Sequence, residues 1–468
     1  MDTKRILSFV LISVFVLSMF SCAAQDDGKA PEFGGISLAD NDFDGAQFVI
    51  LSDWSTDDPF DMGIDTLYGD MMVDRVKEVK DKYNCDISYA SGGSASYVMS
   101  AYASGLNPGD LYYGSATFNL AYGNCLFPLT EVSDIVDYTN ENKYGTPNLL
   151  EYSMAGGIPY GVVPVMWPSK ITSANMGPIM VIGEDLIMKY GLDDPRDFYE
   201  QGVWDLNKLE EITPIFHIKD GEKDVKALSG SLANFSCGIF GAVSMLMVSE
   251  VSDGVLTAGY NTPEMIAVLD WARDYCAKYA DDIVINGRSY AFEEVAAGNA
   301  VLAVMASYIV PISEGLDNFG IVPFPHDSRF VSKGDQRSYY DFFNSLAILL
   351  MTDEPEHSAT ILSALCEPFE GYYSDWNGLV DFLNRTLFFD ERDGHAFIDV
   401  VRQAVCDYNP VGGYSAFSES GLGNAFLNMS ATEAVEKFSN SQDSIISDYV
   451  YDNYYGYMKD YWDGTRAN

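Results

Sequence analysis

The sequence predicts an α/β protein. Three observations lead there. Short apolar runs of strand length recur along the chain, amphipathic segments of helical period separate them, and hydrophobic residues make up 47% against 21% charged, enough for a real core. With 468 residues, one large domain or two ordinary ones are expected.

The first element is not part of the fold. Lys4 and Arg5 precede Ile6 to Phe20, a run without charge, Pro or Gly, which ends at Ser21-Cys22. A basic start, a short apolar stretch and a small residue before the cut mark an export signal. The run falls short of the roughly 20 residues that span a bilayer comfortably. Met19-Phe20-Ser21-Cys22 resembles a bacterial lipobox, which implies lipidation of Cys22 after cleavage; the alternative is a plain secretory signal. Residues 23–45, acidic and bearing Gly and Pro, read as a flexible tether.

Globular sequence begins at Ala46. Gln47 to Leu51 is a buried strand, Met71 to Tyr83 an amphipathic helix, and Cys85 to Tyr89 an alternating strand. Ser94 to Ser104 is helical, and Leu111 to Tyr113 is a third strand. Strand, helix, strand, helix, strand is the rhythm of a parallel sheet. Ile158 to Val165 is extended and rich in breakers, Ile179 to Ile182 is a strand, and Glu184 to Tyr190 starts a helix. Asp205 is placed to cap a helix through Ile212, and Pro263 sits in the first turn of a helix over Thr262 to Tyr279. Phe292 to Ala297 is a short helix closed by Gly298. Ala300 to Met305 is a strand, Phe319 to Pro325 an extended segment and Leu346 to Met351 a strand. Beyond Pro355 the chain reads as helical, with turns at Asn377-Gly378 and at 409–413.

Charge narrows the partners. Lys and Arg number 27 against 69 Asp and Glu, a formal net charge of −42. That surface repels phosphate backbones and anionic lipid, so no nucleic acid is expected, and membrane attachment is expected through a lipid anchor alone. Apart from Cys22, six scattered cysteines form no CxxC pair, leaving three disulfides or six free thiols open. The four histidines lack helix-face spacing, so neither a metal nor a cofactor is expected.

The order of motifs then points further. After the signal and the first α/β part come GIPYGVVPV (157–165), GVWDLNKLEEI (202–212), FEEVAAGNAVLAVM (292–305) and FGIVPFP (319–325). This order resembles the extracellular solute-binding proteins of ABC importers, of the carbohydrate-binding type related to maltose-binding protein. Residues 384–393 and 407–409 are similar to members from anaerobic Gram-positive bacteria. The Thr that usually precedes the Trp-Asp helix opening is Val203 here. The resemblance implies a two-lobed, hinged fold of the periplasmic-binding-protein class II type with a mostly helical C-terminal part. It gives one lobe as 46–165 plus 300–345 and the other as 166–299 plus 346–468. It further implies a monomer, anchored at the outer face of the cytoplasmic membrane, that hands a carbohydrate, an oligosaccharide by preference, to membrane permease subunits without chemical turnover.

Ligand-binding candidates are residues at strand ends that would line an interlobe crevice. Asp53 can accept hydroxyl hydrogen bonds and Trp54 can stack on a sugar ring, or the pair is a turn with a rim tryptophan. Ser115 follows the third strand among small residues. Trp167 and Phe235 are ring platforms or core residues. Tyr308 follows the returning strand, Tyr340, Asp341 and Asn344 precede the last crossing strand, and Trp376 and Tyr414 lie on late loops able to cover the crevice. Two other classes compete. An exported glycoside hydrolase would need a pair of carboxylates in a catalytic setting, for which Asp57, Asp58, Asp193 and Asp194 offer only charge runs. A surface adhesin or scaffold would bind no small molecule.

Overall fold

The computed structural model describes residues 42–52, 67–155, 157–168, 177–245, 248–252, 255–286, 291–307, 315–316, 318–340, 343–406 and 422–446. Two sheets organise these residues. The first has the order β2 (Cys85–Ala90), β1 (Ala46–Ser52), β3 (Leu111–Gly114), β11 (Ser345–Ile348), β4 (Gly161–Val162). The second has the order β7 (Ile283–Asn286), β6 (Lys223–Ser231), β8 (Ala300–Ala306), β5 (Pro178–Gly183), β9 (Phe319–Pro323), with Ile218–Asp220 hairpinned onto β6.

Hairpin segment 218–220 aside, each sheet is parallel except for one strand. In the first, β11 runs antiparallel to β3 and β4. In the second, β5 runs antiparallel to β8 and β9. Each of these two strands enters its sheet directly after the chain has crossed from the other; β5 opens the second sheet, and β11 returns to the first after the second is complete. That pairing corrects the expected lobe boundaries. Residues 300–323 belong with the second sheet, and 345–348 belong with the first. The resemblance implied the opposite assignment; strand-length apolar runs carry no mark of their non-local partners, so the sequence pattern offers no check on it.

Alternation along the strands splits the core. In the first sheet Ile50, Leu111, Tyr113, Leu346 and Ile348 face helices α1 (Leu67–Tyr83) and α10 (Pro355–Leu365). Leu51, Tyr112, Ala347 and Leu349 face α2 (Ala95–Ala103) and α3 (Thr117–Tyr122) on the other side. In the second sheet Ile179, Val181, Ala303, Met305, Phe319 and Ile321 share the larger core with α11 (Trp376–Thr386) and α12 (Glu391–Arg402). Met180, Ile182, Leu302, Val304 and Val322 pack against α6 (Leu206–Phe216), α7 (Leu232–Ala242), α8 (Pro263–Lys278), α13 (Leu422–Asn428) and α14 (Ala431–Ile446).

Local chemistry sets the helix starts. Asp205 accepts the Lys208 N–H at 2.8 Å, and Thr262 accepts the Met265 N–H at 3.2 Å ahead of Pro263. Asp375 accepts the Gly378 N–H at 2.8 Å, so Asn377-Gly378 is the first turn of α11 and not a loop. No described helix is long and apolar enough to cross a membrane.

Candidate functional site

In open α/β sheets ligands bind beyond the carboxyl ends of the parallel strands. At that end of the first sheet lie Ser52 of β1, Gly114 of β3 and, because β11 runs the other way, its opening residue Ser345 opposite Gly114. The buried Thr117 and Ser345 hydroxyls bond each other, fixing the start of α3 to β11. Ser115 is half-buried at this rim, and its carbonyl accepts the Tyr152 hydroxyl at 2.5 Å. The Tyr152 ring in turn meets Phe343 edge-on at 5.6 Å. Next to Phe343, the buried Asn344 Oδ1 has no hydrogen-bond partner among the described residues. A buried acceptor left unpaired costs about 1–3 kcal/mol, a cost that a hydroxyl donor admitted by local rearrangement would remove.

The matching end of the second sheet is built from small residues. Ser231 ends β6 and accepts the Asn234 N–H at 3.1 Å, opening α7. Ser307, fully buried after β8, donates its N–H to the Gly177 carbonyl at 3.0 Å. Gly177 has φ +114°, and a Cβ there would sit 1.8 Å from Ser338 Oγ, so only glycine lets β5 begin beside β10 (Ser338–Tyr340). Strand β10 pairs with β12 (Ala404–Cys406), close to the end of the first sheet's Pro147–Glu151 helix.

Two expected ring platforms and one expected crevice-covering residue are core residues. Trp167 is fully buried against Tyr113, 5.6 Å between rings, and its Nε1–H donates to the Leu365 carbonyl at 2.8 Å. It closes the C-terminal end of α10 and offers no face to a ligand. Phe235 is fully buried between Tyr275 and Phe324. Trp376 is buried in the first turn of α11 and not on a loop over the crevice. In each case apolar area outweighs any stacking role, since a buried aromatic removes about 150–250 Å² from water. The backbone of Tyr340 lies in β10, paired with Cys406. Cys22, Asp53, Trp54, Asp57, Asp58, Tyr308, Asp341 and Tyr414 lie outside the described residues, as does the side chain of Tyr340.

Cys85, Cys125, Cys237, Cys276 and Cys366 are free thiols. Burial pushes Cys125 up to about 11 and Cys276 and Cys366 up to about 12, the opposite of what a nucleophile needs. The densest charge cluster sits beside β9. Arg196 of α5 (Pro195–Glu200) pairs with Glu184, Asp194 and the fully buried Asp393. Arg392 joins it through Asp194, Asp197 and Asp390. Asp393 also accepts the Ile321 N–H at 2.8 Å, so this cluster fastens α12 to the second sheet.

No family model matches the chain, and no curated protein matches it. Solved structures do. The sugar-binding protein MalE from Xanthomonas citri superposes with a TM-score of 0.59 at 11% identity, over 90% of this chain and 100% of that one. The cyclic α-maltosyl-1,6-maltose binding protein from Arthrobacter globiformis gives 0.59 at 12%, over 86% and 100%. UgpB from Mycobacterium tuberculosis, solved with glycerophosphocholine, gives 0.55 at 14%, over 86% and 99%. At these identities the likeness establishes the fold: this chain has the two-lobed α/β architecture of the maltose-binding type of solute-binding protein.

Proposed function

We propose that this protein is an exported, lipid-anchored solute-binding protein. It captures a carbohydrate, an oligosaccharide by preference, between its two halves and passes it to the permease of an ABC importer. It works as a monomer, without turnover, held by Cys22 at the outer face of the cytoplasmic membrane. The observation that best supports this reading is a pair of α/β sheets, each entered by one antiparallel strand directly after a crossing, whose carboxyl ends carry Ser115, Asn344, Ser231 and Ser307. Two halves joined by crossing segments can close on a ligand that contacts both better in the closed form.

The test is a thermal-shift screen of the mature chain with maltotriose, cellotriose, xylotriose and glycerophosphocholine, followed by small-angle scattering of each hit. A ligand at 100 times its Kd adds about 2.7 kcal/mol of stability. A hit with a smaller radius of gyration and an unchanged ligand supports sugar capture. A shift with glycerophosphocholine alone replaces the ligand class. Released sugar products would make the protein a hydrolase instead.

A further inference from the structure

A cavity of about 980 Å³ lies along the flank of α1, walled by residues 367–374 and by α11. It is lined from the sides of helices, one layer out from the first sheet, and not from strand ends. It is therefore separate from the crevice described above.

One wall is held rigidly. The buried Arg75 donates to the carbonyls of Ala364, Glu367 and Pro368, and its guanidinium covers the Phe369 ring at 4.6 Å. The Tyr373 hydroxyl donates to the Met166 carbonyl at 2.6 Å. These bonds complete the last carbonyls of α10 and fix the 366–373 turn. From that turn Tyr372 projects 41% exposed, its ring set edge-on against Phe382 at 5.8 Å and 86°.

The opposite wall carries polar groups that the fold leaves unused. Asp381 and Arg385 are one helical turn apart, where an ion pair is the ordinary outcome. Instead Arg385 Nε donates to the Asp381 carbonyl at 3.1 Å, and the Asp381 carboxylate accepts nothing among the described residues. Glu370 on the facing turn is likewise without a partner among them. The cavity thus presents carboxylate acceptors, guanidinium donors and a half-exposed aromatic ring around a space of ligand size.

We propose that this cavity is a second, exterior binding site for a neutral oligosaccharide. Sugar hydroxyls both donate and accept, so Asp381 and Glu370 take donors while Arg385 supplies them, and Tyr372 offers its ring to a pyranose face. An ion of either sign would meet like charge, because Arg75, Lys82 and Arg385 share the lining with Asp74, Glu78, Glu367, Glu370 and Asp381. The volume exceeds a single sugar ring and suits a chain of several.

Isothermal titration of the mature protein with maltoheptaose, cellohexaose and xylohexaose tests it, with hydrogen-exchange protection read over 367–385. At least one of the three should bind and protect that segment. Tyr372→Ala and Arg385→Ala, both at exposed positions, should each weaken that event at least tenfold. Asn344→Ala, in the crevice, should leave it unchanged, so failure of the crevice reading and failure of this one are separable. Binding by none of the three sugars, or binding that survives both exterior substitutions, overturns the proposal.

Discussion

Arg196 Nη1 lies 3.1 Å from Asp393 Oδ2, and the two residues stand 197 positions apart in the chain. Both are buried, and Gly320 makes room for the guanidinium, since a Cβ there would lie 2.7 Å from Arg196 Nη1. Removing the cation strips the buried carboxyl of its charged partner, so that it must take up a proton or stay charged with only the Ile321 N–H to hold it. Arg196→Met is expected to destabilise by about 3–5 kcal/mol in urea denaturation. A change below about 0.5 kcal/mol would mean that the pair does not fasten α12.

The same cluster has a pH signature of two signs. Burial pushes the Asp393 carboxyl from 3.8 up to about 7, against the pull of Arg196. The unfolded chain ionises first, so this group lowers stability as pH rises from about 4 to 7. Asp390 is held down to about 2 by its hydrogen bonds to Arg392. Its contribution is present above about pH 4 and is lost as pH falls toward 2. Melting temperature measured from pH 2 to 8 should decline less above pH 4 in Asp393→Asn, and less below pH 4 in Asp390→Asn. Identical profiles in wild type and both variants would contradict this assignment.

Trp167 should behave as a structural residue. Trp167→Phe keeps a ring but removes the bond to the Leu365 carbonyl, costing about 1–3 kcal/mol for an acceptor left unpaired. Ligand affinity, measured by titration with any sugar that shifts the melting point, should stay within twofold. A tenfold loss of affinity without loss of stability would restore Trp167 to the binding surface.

Asn344 should behave in the opposite way. Its unpaired Oδ1 costs the free protein stability, so Asn344→Ala is expected to raise the melting temperature slightly. Loss of one ligand hydrogen bond, about 1.4 kcal/mol, should weaken sugar binding roughly tenfold. Unchanged affinity would remove Asn344 from the site.

Much of the fold was legible because its signals are local. The strand at Ala46, the Asp205 cap, Pro263 and the Gly298 stop each depend on neighbours within a few residues, and each is where the sequence places it. The failures are non-local. The apolar run at 300–305 reads identically whichever sheet receives it. Strand β6 escaped notice because its sequence, KDVKALSGS, is polar at the start and small at the end, although seven of its nine residues are at least partly buried. Trp167 and Phe235 look like platforms in sequence and Trp376 like a loop residue over the crevice, since an aromatic advertises area and not the direction it faces. Asn344 stood among the candidates without an assigned role, and only its environment marks the unpaired oxygen.

The first sheet cannot be finished early. Its order places β11 between β3 and β4, so a strand made after residue 344 must insert between two that emerge before residue 163. Until then Gly114 borders an open edge and β4 has no neighbour within its own sheet. The first sheet of such a chain is completed only once residue 348 has emerged, through long-range pairing that forms slowly. On the export route proposed above, that late completion would leave the first half unconsolidated while the polypeptide is threaded through a narrow translocation channel.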